Sequence, residues 1–453
     1  KGLDVDITNL TFTNGKAGSN SNWNWGIIYG SSLTMNDCII KNSTSNSNLL
    51  YDIDTQNSKL VFNNLTYINN KGNMWLGYAT INNSYFADNV GAALGGVIRG
   101  TNNLTVINSK FINNTNPKNS NAEGGAVYAQ NIISINNIYD SNYAGTNGGA
   151  VYVSGGAKAT FINDTFINNR AAGDGGAVYA YISSSSFVPV ATFENVKFIN
   201  NSGANGGAAT VSGATFNNVT FKDNTANTMG GAIYLFSVTN GKTSNIPDLT
   251  ISDDSLFENN NAPEGKDIYI STPVANNGVA NVTGLTITFN DLNVAELAGK
   301  LTAQVTHPSG AVISGNTVTF FIDGNYAGLA DVVNGIATYN YVGFEDGKYS
   351  LSGTYDANGK NYIYKNGTIT VKINNILDNI TVYVSDAKGN DSTADGSLAK
   401  PFKTIKNALE YAQSKSRTVT VYVLEGTYTG NLNADLDIQV NADISIVGDG
   451  ENK

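Results

Sequence analysis

The chain has one histidine, one cysteine, three arginines and seven prolines in 453 residues, and only 14% of it is charged. Each scarcity excludes something. Three arginines (Arg99, Arg170, Arg417) without a basic cluster exclude nucleic-acid recognition, which needs cations arrayed against phosphates. The formal charge of −10 is mild for this length. A lone Cys38 cannot close an internal disulfide, and its strand-like setting marks it as a small buried apolar residue. No apolar run is long enough to cross a bilayer, and no signal peptide is recognisable. The chain opens at Lys1 inside a strand-like unit, without methionine. It therefore reads as an excerpt of a longer polypeptide, attached to the cell surface through parts not present here.

What is abundant is asparagine, at 68 residues, together with a repeat. Gly-Gly-Ala-Val-Tyr occurs at Gly124–Tyr128, Gly148–Tyr152 and Gly175–Tyr179, with a variant at Gly230–Tyr234. Looser copies lie at Trp25–Tyr29, Gly95–Arg99 and Gly206–Thr210. F-x-x-N alternates with it at Phe111–Asn114, Phe166–Asn169, Phe198–Asn201, Phe221–Asn224 and Phe257–Asn260, and weaker versions begin at Tyr67, Phe86 and Tyr139. Two motifs alternating at roughly 19 to 36 residues mark a solenoid, whose units bury their apolar faces only by stacking.

Within a unit the runs are short and β-rich, as in Ala159–Ile162, Thr165–Ile167 and Ala177–Tyr179, bounded by Asn, Gly and Asp. No helical period precedes about residue 400, and leucine is too sparse for a leucine-rich repeat. The expected fold is all-β: a right-handed parallel β-helix of about ten coils over 1–272, with three strands per coil. At roughly 4.8 Å per coil, it would be a rod near 50 Å long. Val127, Val151, Val178 and Ile233 suit a thin core. Paired glycines suit a column where the neighbouring coil leaves no room for Cβ and φ is positive. Asn113-Asn114, Asn168-Asn169 and Asn200-Asn201 suit corners, with stacked amides forming ladders along the axis.

The pairing of GGA-[VI] with F-x-x-N resembles the repeats of chlamydial polymorphic outer-membrane proteins. It is similar also to adhesin-like surface proteins of methanogenic archaea. The resemblance covers about 1–272 and implies a surface-exposed, adhesive β-helix.

After Ile268–Ile270 the rhythm breaks, and 273–281 reads as a linker. Longer strands with clear turns then fill 282–373: Leu285–Phe289, Lys300–Thr306, Thr317–Ile322, Gly335–Tyr341, Lys348–Tyr355 and Gly367–Ile373. They predict a β-sandwich, and Val318–Gly324, Gly335–Tyr341 and Gly347–Tyr355 resemble bacterial-type Ig-like repeats. A second linker spans 374–380. Residues 381–453 hold an amphipathic helix from Pro401 to about Lys415, then strands at Thr418–Leu424 and Ile438–Val447. This part resembles the N-terminal cap of pectate-lyase-superfamily β-helices, which implies a helix plugging the end of a second solenoid's first coil.

A polysaccharide lyase or hydrolase needs clustered carboxylates, a base or a metal. The acids of 1–272 are scattered singly (Asp88, Glu123, Asp140, Asp164, Asp174, Glu194, Asp223). Asp88, Asp140 and Asp223 fall near one corner, as ladder substitutions. Arg170 and Asp174 read as a surface ion pair, and His307 as an exposed residue before a proline turn. The loop Asp386–Gly396 lacks EF-hand spacing and reads as a structural turn. Trp23, Trp25 and Trp75 read as packing residues, with a glycan patch as the alternative. No catalytic residue, cofactor or metal is expected. Candidate glycosylation sites are the sequons at Asn9, Asn64, Asn103, Asn163, Asn218, Asn281 and Asn366. The expected function is an extracellular, non-catalytic adhesin-like stalk whose partners are glycans or host or neighbouring cell surfaces. The alternatives are a polysaccharide-active β-helix enzyme and a purely structural surface spacer.

Overall fold

The computed structural model describes residues 4–17, 26–52, 54–91, 94–117, 122–154, 158–181, 191–236, 249–271, 282–355, 362–373, 377, 379–434, 436 and 440–449. The first part of the chain is a parallel β-helix. One coil shows the pattern: Ala159–Ile162, Thr165–Ile167, the short pair Arg170–Ala171, then Val178–Ala180. Each segment pairs in parallel with its counterpart in the coils before and after. Residues one coil apart therefore meet with the same side chain on the same face. The F-x-x-N segments form a ten-stranded sheet, the short pairs a five-stranded one, and the remaining segments share a nineteen-stranded sheet. The short pair is a fourth side that the sequence reading did not include.

The repeat motifs explain the stacking. Phe86, Phe111, Tyr139, Phe166, Phe198 and Phe221 are fully buried and lie ring upon ring, with centroids 4.7 to 5.2 Å apart. A second inner stack, Phe161–Phe193–Phe216, meets the first edge-on. Each buried ring stabilises its coil by about 1.5–3 kcal/mol through apolar burial.

Corners are made by residues in the left-handed region. Asn113, Asn168 and Asn200 have φ of 52°, 55° and 52°. Asparagine tolerates this conformation because its short polar side chain bonds locally. The next asparagine in each motif points inward and is buried. Asn114 Nδ2 donates to Asn142 Oδ1 at 3.0 Å and to the Phe86 carbonyl of the preceding coil at 3.0 Å. The same bonds repeat through Asn142, Asn169, Asn201, Asn224 and Asn260. The ladder satisfies amides that would each cost about 1–3 kcal/mol if buried unpaired.

The glycine pairs lie in one column, joined by Gly125 N–H to the Gly148 carbonyl and Gly149 N–H to the Gly175 carbonyl, both at 3.0 Å. Only the first glycine of each pair has positive φ: Gly124, Gly148 and Gly175 at 69°, 67° and 68°. The second is required for a different reason. A Cβ on Gly149 would stand 1.9 Å from the Gly176 carbonyl oxygen of the next coil. Cys38 is fully buried, as its position suggested.

The following part has two facing sheets, one of four strands and one of five. The longer strands lie close to the expected bounds, at Ala298–Thr306, Thr317–Ile322, Ile336–Val342 and Gly347–Tyr355. Short strands at Leu292–Val294 and Ile363–Lys365 and a longer one at Asn325–Asp331 were not foreseen. The expected linker 273–281 lies wholly outside the described residues. At the joint, Ile313–Gly315, from within the sandwich, pairs in parallel with Ile268–Ile270. Ile313 is fully buried, so a strand of the sandwich closes the end of the rod's core.

The last part is a three-stranded parallel sheet of Ile380–Val384, Thr418–Val423 and Asp443–Gly448 beneath one helix. The helix runs Ile405–Lys415, four residues shorter at its start than the period suggested, because Thr404 caps it. Ala408, Leu409 and Ala412 bury against Val382, Val419 and Val421. Described strand at the C-terminal end begins at Asp443 rather than Ile438, and Ile438 lies outside the described residues.

Candidate functional site

The outer surface of the rod carries a column that the motif search left unread. The tyrosine of Gly-Gly-Ala-Val-Tyr points outward, and register places Tyr29, Tyr51, Trp75, Arg99, Tyr128, Tyr152, Tyr179, Thr210, Tyr234 and Tyr269 in one line. Tyr128–Tyr152 and Tyr152–Tyr179 are stacked at 5.4 and 5.1 Å with rings within 8° of parallel. At Thr210 the column lacks a ring, and Phe236 leans in to touch both Tyr179 and Tyr234. Alternating inward Val and outward Tyr was visible in the sequence; the missing step was to ask what an exposed residue repeated every coil must touch.

Most ring faces in this column are shut. Each tyrosine covers the next, and the Arg99 guanidinium sits 3.9 Å above the Trp75 ring. Trp75 is therefore a packing residue, while Trp23 and Trp25 lie outside the described residues. Half-buried Glu123 accepts a hydrogen bond from Tyr152, and burial raises its pKa. Asp174, raised likewise by burial, accepts from Asn205 Nδ2 at 2.9 Å. The expected Arg170–Asp174 ion pair is not formed: Arg170 lies 5.8 Å from the Tyr143 ring instead.

The acids do not converge. Asp88 and Asp223 share a corner, but Asn113, Ser141, Asn168 and Asn200 stand between them, about 24 Å in all. Asp140 sits one residue earlier, opposite Ile112 and Ile167. Asp88 and Asp140 accept amides from Asn113 at 2.7 Å and Asn168 at 3.2 Å, which is ladder work. Asp164 is different, being buried inside the core with a pKa raised to about 7 by desolvation.

His307 corrects an expectation. It is 5% exposed rather than a surface loop residue, with Nδ1 accepting the Ser309 N–H at 3.1 Å, and burial lowers its pKa. The sandwich packs this turn inward against Gly284. In the loop Asp386–Gly396 the carboxylates are committed to structure. Asp391 accepts the Lys403 and Thr404 N–H groups at 2.8 and 3.0 Å, and Asp386 pairs with Lys403 at 2.6 Å. Among the described residues no three His, Cys, Asp or Glu side chains are grouped for a metal.

Of the sequons, Asn9, Asn64, Asn163 and Asn218 occupy one exposed corner column, with φ between 50° and 57°. Asn64 and Asn218 each donate one amide hydrogen to the coil before, at 2.8 and 2.7 Å. A glycan on Nδ2 leaves a second hydrogen for that bond. Asn103 lies exposed on a strand, Asn366 between strands, and Asn281 outside the described residues.

Two family models match stretches of the chain. The Chlamydia polymorphic membrane protein repeat matches residues 165–181 and 218–235. A family described as a protein of unknown function, DUF1565, matches residues 387–453. Both matched repeat segments contain an F-x-x-N turn and the glycine pair that follows it. No curated protein matches the chain. Among the described residues, no helix is long and apolar enough to cross a membrane.

Proposed function

We propose that the chain is a non-catalytic, adhesin-like stalk of the cell exterior, similar to the adhesin-like proteins of methanogens and to chlamydial surface repeats. The observation that carries this reading is the outer surface of the rod. Coil after coil it presents neutral Tyr, Asn and Thr in register, with carboxylates isolated or tied into ladders. Such a surface offers many equivalent weak contacts to another surface and no convergent acid, base and metal for bond cleavage. The sandwich, an Ig-like module in this reading, acts as a rigid spacer between two β-helical solenoids, and the terminal sheet and helix begin the second. The rod extends the contact surface away from the cell, and glycans or neighbouring cell surfaces are its partners.

The test is binding of the intact chain to glycan arrays and to whole cells, with sugar release followed in parallel on pectin, alginate and peptidoglycan. Binding to a defined set of glycans or cells without release supports the adhesin. No binding to any surface reduces it to a passive spacer. Turnover abolished by changing Asp88, Asp140 or Asp223 replaces it with an enzyme.

A further inference from the structure

The outer aromatic column ends at the joint between rod and sandwich, and the way it ends creates a cavity. Tyr234 covers one face of Tyr269, at 5.9 Å. The next residue in register is Ser314, which is too small to continue the stack. A pocket of about 280 Å³ opens there instead, lined by Tyr269, Ser314, Glu264, Asn316, Asp331 and Val333 among others. The solenoid contributes the tyrosine and one carboxylate, and the sandwich contributes the remainder.

The polar groups in this pocket share one character. Glu264 and Asp331 are acceptors, and both act on the Tyr269 phenol, raising its pKa after the larger effect of burial. Asn316, 3% exposed, lines the pocket as well. Its amide nitrogen is already directed at Tyr355, 3.4 Å away.

We infer that this joint is a binding site for a single pyranose ring, neutral or carrying a protonated amine. A sugar brings an apolar face for the uncovered side of Tyr269, and hydroxyl donors for the two carboxylates. The volume lies just under the roughly 300 Å³ where ordinary small-molecule pockets begin, so one ring fits and an oligosaccharide extends outward. A uronic or sialic acid is rejected, because its carboxylate would meet Glu264 and Asp331. This names a ligand class for the adhesin and rests on that reading only for its biological purpose.

Saturation-transfer NMR on the full chain with glucosamine, methyl glucoside and glucuronate tests it. Glucosamine and methyl glucoside should show transfer and compete with each other, and glucuronate should show none at neutral pH. Tyr269→Leu should abolish transfer. Val333→Trp, at the exposed mouth, should do the same without touching the joint. Glu264→Gln combined with Asp331→Asn should weaken glucosamine about tenfold, as expected for lost charge-assisted bonds, and bring glucuronate level with it. Equal transfer for glucuronate and glucosamine in the unaltered chain, or transfer unchanged in both Tyr269→Leu and Val333→Trp, overturns the site. If the site is overturned in either way and the chain still binds cells, the pocket fails and the adhesive stalk stands. If the chain binds these sugars but no surface, the stalk reading fails and the pocket stands.

Discussion

Asn260 Nδ2 donates to Asp267 Oδ1 at 3.0 Å, and this bond is where the amide ladder of the rod ends. The other carboxylate oxygen accepts the Val312 N–H at 2.9 Å, so one buried side chain joins the last rung to the first residues of the sandwich strand. Desolvation raises the pKa of Asp267, against the opposing pull of its hydrogen bonds and of neighbouring Lys266. It holds its place through the hydrogen bonds it makes.

Replacing Asp267 with Ala should therefore separate the two parts while leaving each folded. The loss should be about 2–4 kcal/mol, combining a charge-assisted bond with the orphaned Asn260 amide and Val312 N–H. Thermal unfolding should change from one transition to two, and protease should cut first near the joint. A single unshifted transition would show that the pairing of Ile313–Gly315 with Ile268–Ile270 and the burial of Ile313 hold the joint without Asp267.

Gly149→Ala should be far more damaging than its size suggests. The new methyl would lie 1.9 Å from the Gly176 carbonyl oxygen, and backbone cannot move aside without opening the ladder of the next coil. A loss of several kcal/mol is expected, beyond the 1–3 of an ordinary overpacked core, at roughly 4 kcal/mol. Gly148→Ala acts through its φ of 67° and its own close contact with the Val151 carbonyl. Denaturant melts of both variants check this, and wild-type stability for Gly149→Ala would refute the packing argument.

Within the rod, Asn169→Leu should cost about 2–4 kcal/mol although leucine is more apolar. It removes the acceptor for Asn142 N–H and Nδ2, and the donor to the Tyr139 carbonyl and Asn201 Oδ1. Urea unfolding of this variant against Asn168→Ala at the exposed corner separates ladder from corner. The corner change should cost less, because only one exposed amide bond depends on it in each direction.

The repeat was legible because a solenoid writes its geometry into every coil: Phe111 and Phe166 recur because their rings must stack, and Asn114 and Asn169 because their amides must pair. What was hidden has equally physical reasons. The short fourth side, as at Arg170–Ala171, carries too few residues to show an alternation. The role of the second glycine depends on a carbonyl of the next coil, far away in sequence. Ile313–Gly315 gave no sign that it belongs to the rod, because its partner strand is decided by the joint and not by local pattern. His307 read as exposed from its proline turn, and only docking of the sandwich buries it. The pocket beside Tyr269 exists because a stack stops, and an interruption is invisible until the register is known.

Asp164 supplies a prediction in which pH is the variable. Its Oδ1 accepts the Asn137 N–H at 2.6 Å, while Oδ2 is buried without a partner. Ser134 and Asn137 face it, and Tyr139, the one titratable neighbour acting with it, is itself fully buried and raised by desolvation. The folded pKa is about 7, against about 3.9 for an unfolded aspartate. The unfolded chain thus releases its proton first as pH rises, so the folded state is favoured most below the unfolded value. Stability contributed by this site falls as pH climbs from about 4 to about 7, by on the order of 4 kcal/mol, and then levels off. Asp164→Asn keeps the acceptor and removes the charge. It should match the native chain near pH 4 and exceed its stability near pH 8, with every other titrating group common to both. Denaturant melts of the pair across that range measure the difference directly. Parallel curves, with no divergence above pH 5, would mean that the buried carboxyl finds a partner the structure does not show.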